Sequence, residues 1–275
     1  MKKLTVIMTC FNRKEYTLRC INTLNEAVLP EWQFEYVVVD DNSTDGTKTA
    51  VEELAVAKNL NVAVLSGTGS LFYSGGMRKG IAWAKENLSD SELFMIVNDD
   101  VRFDSGAVTQ MIEACASGAN VLVGATKDDD GKFSYGGIRY VKGINYKAVK
   151  PEDADRMCDT FNANCVLIPG NIFMKAPNMD EVYNHSLGDF DYGLAIGRMG
   201  FSIEVYGEYI GVCNKNKAQG TWNDTSLKRA ERFKKKESIK GLPRKEWYHF
   251  LKKNFGTKTA LFRSVTPYIR ILLGK

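Results

Sequence analysis

Phe34-Glu-Tyr-Val-Val-Val-Asp40-Asp41-Asn-Ser-Thr-Asp-Gly46 is an apolar run that ends in paired acids and a turn. Residues 34–40 are rich in β-branched and aromatic side chains, which reads as a buried strand. Asp, Asn, Ser and Gly then build a loop able to cap a helix over about 46–58. The same order repeats on both sides. Upstream, Leu4–Cys10 reads as a strand and 13–27 as a helix with Tyr16, Ile21 and Leu24 near one face. Downstream, Asn61–Leu65 reads as a third strand, followed by the loop Gly67-Thr-Gly-Ser70, the run Leu71–Gly76 and a helix through about Glu86. Leu93–Val97 is a fourth strand ending in Asn98-Asp99-Asp100, with a helix near 104–116 and a strand near 120–125. Strands alternating with helices predict an α/β fold, a mostly parallel sheet flanked by helices. Ligands in such sheets gather beyond the carboxyl ends of the strands. Thr9, Asn12, Asp40, Asp41, Asp99 and Asp100 all follow strands in that position.

Beyond about 127 the alternation stops. Asp128–Lys132 reads as a turn, Phe133–Tyr140 as short strands, and Cys158–Ile168 as a β-like stretch ended by Pro169-Gly170. His185–Asp189 leads into a helix to about Met199, and Phe201–Tyr206 is a last strand. After Thr225 the pattern predicts two or three amphipathic helices, broken at Gly241-Leu-Pro243, Gly256 and Pro267.

Composition bounds the function. Hydrophobic residues are 44% and charged residues 25% of 275, which excludes a disordered chain, a fibre or a collagen. No run of about 18 apolar residues predicts a membrane span. Met1–Thr5 leads straight into a strand without a secretory pattern. Six scattered cysteines without a Cys-x-x-Cys pair, and only two histidines, argue against zinc and a disulfide scaffold. Reduced thiols predict a cytoplasmic protein. The net charge of +4 is uneven: residues 226–275 hold 15 Lys+Arg against 3 Glu, so they carry +12 and the rest −8. An acidic body suits a metal, and a basic tail suits an anionic surface.

Four clusters carry chemistry, each with a plainer reading beside it. The adjacent carboxylates Asp99 and Asp100 at a strand end repel unless a cation or donors compensate, as Mg²⁺ or Mn²⁺ with a diphosphate would; a polar helix-capping loop is the plain alternative. The carboxylates of Asp40-Asp41 suit a base or ribose donor, or turn chemistry alone. Gly75-Gly76 with Arg78 suits an anion at a helix start, or close helix packing; no Walker A spacing is present. Asp189, in Gly188-Asp-Phe-Asp-Tyr-Gly193, suits a helix cap or, partly desolvated, a general base.

Thr9-Cys-Phe-Asn-Arg13, Asp40–Gly46, Asn98-Asp-Asp-Val101 and Gly188–Gly193 together resemble a family 2 glycosyltransferase of the GT-A fold, over about residues 1–215. Gly220-Thr-Trp222, Gly241-Leu-Pro243 and Trp247 resemble its bacterial rhamnosyltransferase-like subgroup. The resemblance implies a GT-A domain over 1–225, with a Rossmann-like nucleotide-sugar-binding half over 1–126 and an acceptor half over 127–225. A basic helical extension over 226–275 follows. It implies base binding by Thr9 and Asp41, with Asn98 near the ribose, Asp99 in the middle of the Asp-x-Asp motif and Asp100 as the metal ligand. Asp189 is implied as the catalytic base of an inverting displacement. Gly188 stands where the family has Glu, and Ala195 where many members have Arg.

The expected reaction moves a sugar from a nucleoside diphosphate (UDP- or dTDP-sugar favoured) to a glycan or polyprenyl-linked acceptor during bacterial cell-envelope polysaccharide biosynthesis. Asn12, Arg78, Asp191 and Trp222 complete the expected substrate-binding set, with Asn162 and Asn164 as lesser members. His185 reads as a surface histidine, with a supporting position behind the site as the alternative, and His249 as structural. The basic tail, with Arg229, Arg232 and Lys234–Lys236 beside Phe233 and with Trp247, Tyr248, Phe250, Leu251 and Phe255 further on, predicts peripheral contact at the inner face of the plasma membrane. A charged helical cap is the alternative. The tail has no nucleic-acid recognition motif, so nucleic acid is not an expected partner. Two rivals remain: a sugar-nucleotide pyrophosphorylase, which would want a Gly-rich loop after strand one, and an inactive carbohydrate- or lipid-binding scaffold.

Overall fold

The computed structural model describes residues 1–27 and 29–275. The first half alternates as expected: β1 (Lys2–Cys10), α1 (Lys14–Asn25), β2 (Trp32–Asp40), α2 (Thr47–Lys58), β3 (Asn61–Ser66), α3 (Phe72–Asn87), β4 (Leu93–Val97), β5 (Arg102–Phe103), α4 (Ser105–Ser117) and β6 (Val121–Lys127). Then come β7 (Phe133–Tyr135), β8 (Gly137–Lys142), β9 (Asn145–Val149), β10 (Met157–Cys158), β11 (Thr160–Phe161), β12 (Cys165–Pro169), α5 (Gly170–Lys175), α6 (Gly188–Arg198) and β13 (Ile203–Val212). The tail holds α7 (Arg229–Glu237), α8 (Arg244–Phe255), α9 (Thr257–Arg263) and α10 (Thr266–Leu272).

The main sheet runs β10-β13-β6-β12-β4-β1-β2-β3. Strands β4, β1, β2 and β3 are parallel, β12 is antiparallel to both β4 and β6, and β13 is parallel to β6. Strands β11, β8 and β9 form a small second sheet. Alternation along each strand builds two cores. Val6, Met8 and Val38 face α1, α2 and α4, packing on Ile21, Leu24, Val51 and Met111. Ile7, Val37 and Ile96 face the other way, onto Met77 and Ile81 of α3 and Phe173 of α5. Each core side chain is withdrawn from water, which is the main force holding the layers together.

The structure departs from the expected elements where local signals compete. Pro169-Gly170 ends β12 and also begins α5, since proline and glycine are compatible with a first turn. The stretch 158–168 is three strands rather than one, and β9 extends the small sheet beyond Tyr140. The last strand runs on to Val212 because its second half borders β6 and β5.

Candidate active site

The carboxyl ends of β1, β2 and β4 lie side by side at one end of the sheet. The β1–α1 loop is tied to the β2–α2 loop: Asn12, at φ 52°, accepts from the Thr44 amide at 2.7 Å, and its own amide donates to Ser43. Asn12 is thus committed to loop geometry. Asp40 accepts from Ser43 and is buried. Asp41 is buried too, and its two oxygens accept from the amides of Gly69 (2.8 Å), Leu71 (2.8 Å) and Phe72 (3.1 Å). The amides at the head of α3 therefore receive an anion, as helix N-termini favour, and that anion is the protein's own carboxylate. Gly75 and Gly76 lie past this first turn. Gly76 is there for packing: a Cβ would meet Thr9 Oγ1 at 2.1 Å. Thr9 itself donates to Val39 O at 3.2 Å.

At the end of β4, Asp99 is buried and Asp100 is half-buried. Arg13 pairs with both, Nη2 to Asp100 Oδ2 at 2.7 Å and Nε to Asp99 Oδ2 at 3.3 Å. Burial pushes the Asp99 carboxyl up to about 7, against the pull of Arg13 and with the push of Asp100. Cys213, just past β13, donates to Asp100 Oδ1 at 3.3 Å, and Asn164 Nδ2 donates to Cys213 Sγ at 3.2 Å. The helix after this loop is capped by Asp104, which accepts from Ala107 N at 3.0 Å, so Asp99 and Asp100 are not needed as caps.

Asp189 sits in the first turn of α6 and is partly buried. Its Oδ2 accepts from Ala163 N at 3.2 Å and its Oδ1 from Phe190 N at 2.9 Å. Burial raises its carboxyl to about 6, with these amides opposing. Ala163 precedes Asn164, whose carbonyl accepts from Asn98 N at 3.1 Å. Antiparallel pairing of β12 with β4, register Cys165 to Val97, brings residues 162–164 beside 98–100. Asp100 and Asp189 are therefore both tied to the segment 162–164 at this end of the sheet, Asp100 through Cys213 to Asn164 and Asp189 to Ala163.

Two backbone outliers adjoin these segments: Phe72 at φ 53° and Leu187 at φ 70°. Neither is glycine, so both are strained. They frame the meeting of α3 with α6, where Ser74 N donates to Asn184 O at 2.9 Å and Ser74 Oγ to His185 O at 3.0 Å. Gly188 belongs to this contact: a Cβ there would meet Ser74 Oγ at 2.4 Å. The backbone approach leaves no room for a glutamate.

Several expected site residues have other work. Arg78 Nη1 donates to the carbonyls of Asp180 (3.0 Å) and Tyr183 (3.2 Å), holding the segment before α6. Asp191 is buried and bound to Lys253 (2.7 Å) and Asn254 (2.9 Å) of α8. Trp222 lies under Arg270, with its carbonyl accepting from Arg232 at 2.8 Å. His185 is not on the open surface; it is half-buried against Phe72, and burial lowers its pKa. His249 bonds Asp180 at 2.9 Å, a structural role as expected. Arg13 and Cys213 received no role from sequence: Arg13 was visible in the Thr9–Arg13 motif, whereas nothing marked Cys213.

Among the described residues, no group of three or more His, Cys, Asp or Glu is arranged to hold a metal. The donors at the end of β4 nevertheless fit a hard cation that takes its other ligands from phosphate. Asp100 is partly exposed, and two residues before it in the same loop Asn98 Oδ1 is buried without a partner. Two surface cavities, of about 380 and 440 Å³, lie elsewhere: one by Arg156 and Glu204 at β13, the other by Trp32 and Asn61 at the amino ends of β2 and β3.

The family model for glycosyl transferase family 2 matches residues 5–174, and the chain belongs to that family. A stretch of 65 residues is 40% identical to the poly(ribitol-phosphate) β-N-acetylglucosaminyltransferase TarS of Staphylococcus aureus, covering 24% of this chain and 11% of that protein. In three dimensions the chain resembles residues 1–349 of TarS in complex with UDP-GlcNAc, with a TM-score of 0.59 at 17% identity over 99% of this chain and 80% of that one. It also resembles the Pyrobaculum calidifontis mannosyltransferase PcManGT in complex with GDP-Man and Mn²⁺, with a TM-score of 0.58 at 15% identity over 98% and 73%. At these identities the likeness is one of fold. It is the expected GT-A fold. Neither relative is a rhamnosyltransferase, so the subgroup gains no support.

Proposed function

We propose that the chain is an inverting, metal-assisted glycosyltransferase. It moves a sugar from a UDP- or dTDP-sugar to a hydroxyl of a glycan or polyprenyl-linked acceptor in envelope polysaccharide assembly, on the cytoplasmic side of the plasma membrane. The observation that supports this reading is the contact chain from Asp100 through Cys213 and Asn164 to Ala163 and Asp189. The named relatives support the donor class: one solved neighbour holds UDP-GlcNAc and another GDP-Man with Mn²⁺.

Asp189 is the general base. With its carboxyl at about 6 it is ionised at neutral pH yet basic enough to accept the proton of the attacking hydroxyl. The amides of Ala163 and Phe190 orient it. Asp100, with Asn98 beside it, would hold Mn²⁺ or Mg²⁺ against the donor diphosphate. When bound, that ion neutralises charge on the departing nucleoside diphosphate. Arg13 adds a fixed positive charge at the same place. Asp41 orders the 69–72 loop that borders the base pocket with Thr9, while Asn12 and Arg78 act by positioning.

The test is thermal shift against UDP-, dTDP- and GDP-nucleotides with and without Mn²⁺, followed by transfer assays. A bound ligand raises stability in proportion to the logarithm of its concentration over Kd. A pyrimidine diphosphate should give the largest shift, and Asp100→Ala should lose the Mn²⁺-dependent part. Equal shifts with every nucleotide would overturn the pocket. No turnover together with no metal-dependent nucleotide binding would return the scaffold reading.

A further inference from the structure

The tail divides into an inward and an outward part, and not where sequence placed them. Arg232 and Lys236, in the expected surface cluster, are buried; Lys236 bonds Glu237 (2.7 Å) and the Tyr268 hydroxyl (2.9 Å). Phe250 and Leu251 are buried as well, and Trp247 stacks on Phe250. The outward apolar surface lies further on. Leu261, Phe262, Val265, Ile269, Leu272 and Leu273 are all exposed, Phe262 at 75% and Leu273 at 64%.

Their spacing is that of one helical face. Ser264 and Val265 between α9 and α10 keep right-handed helical dihedrals, so the 3.6-residue phase carries across. Pro267 has no amide to offer Arg263 O, and that carbonyl instead accepts from the Thr266 hydroxyl (2.7 Å) and from Trp247 Nε1 (3.3 Å). Ala260, Ser264, Pro267 and Ile271 form the opposite, buried face. On the helical wheel the six exposed apolar residues fill one continuous sector, with Lys258 among them and Arg263 and Arg270 on one flank; these three cations are exposed, as is Lys275 beyond the helix end. No Asp or Glu follows Glu246. An apolar face on helices whose charged residues are all cations matches one partner chemistry, an anionic bilayer surface.

We propose that the outward face of α9 and α10 docks the protein on anionic lipid, with the six apolar side chains entering the headgroup boundary. This deepens the proposed use of a membrane-borne acceptor and names the surface that meets the membrane. The surface chemistry does not depend on that acceptor.

The experiment is flotation of the full chain with vesicles of phosphatidylcholine, with and without about 30% phosphatidylglycerol. Binding should require the anionic lipid and weaken between about 0.1 and 0.5 M NaCl. Leu261→Ser with Phe262→Ser should lower partition about tenfold or more, and Lys258→Gln or Arg270→Gln about fivefold each. Circular dichroism and hydrolysis of soluble donor, measured on the same variants, should be unchanged, which separates this surface from the catalytic reading. Absence of vesicle binding by the wild type, or binding indifferent to Leu261→Ser with Phe262→Ser, would overturn the proposal. So would a concentration-dependent dimer that this double variant abolishes in the absence of vesicle binding.

Discussion

On the proposed reading, Asp189 concentrates the chemistry in one group whose proton affinity is set by its surroundings. Burial raises its carboxyl to about 6 while backbone amides restrain the rise. If it takes the acceptor's proton, kcat/KM climbs with pH through about 6 and levels off above. Asp189→Asn should remove that limb and lower kcat at least about 10²-fold, which a pH–rate series reads directly. The same shift carries a stability signature. The native state holds this proton more tightly than the unfolded chain, so its contribution is complete below the ordinary carboxylate pKa of 3.8 and is lost as pH rises through about 6. The melting temperature of Asp189→Asn relative to wild type should therefore improve from pH 4 to pH 8. Gly188 makes the complementary point. Its α-carbon faces Ser74, so Gly188→Ala should cost about 1–3 kcal/mol, and Ser74→Gly should relieve part of that loss in denaturant titrations. The residue types at 188 and 189 were plain in the sequence; the reason for the glycine was not, because Ser74 lies on another helix.

At the level of elements, α6 is held between the segment 162–164 and the tail. Asp189 faces Ala163, while Asp191, two residues on, points to Lys253 and Asn254 of α8. Neighbouring acids on one helix thus serve different partners, since successive positions turn about 100° per residue. Lys253 also meets Asp180 at 2.8 Å, and that segment is held by Arg78. Asp191→Ala should destabilise by about 1–3 kcal/mol, less than a fully buried pair because Lys253 is a third exposed. A double-mutant cycle with Lys253→Met should show coupling between the two. Element order through β6 was legible because periodicity is local. The split of 158–168 into three strands and the length of β13 were not, because pairing partners set them.

Across the whole molecule, the tail is fastened to the body at several points. Glu246 of α8 accepts from Asn184 at 2.8 Å, His249 bonds Asp180, and Asp191 receives Lys253 and Asn254. A chain ending at Thr225 would lose the Lys253 and Asn254 partners of Asp191 and the packing of α8 on α6, so that truncation should melt well below the full chain or aggregate, and the full chain should unfold in one transition. Alternating strand and helix, strand-end acids and the charge step at about residue 226 were determined by the sequence alone, because each rests on neighbours within a few positions. Folding decided what depends on distant partners. It gave the α3 amides to Asp41 and Arg13 to the Asp99–Asp100 pair. It turned Arg232 and Lys236 inward and left Leu261–Leu273 outward, because burial and pairing belong to surfaces that exist only once the layers have packed.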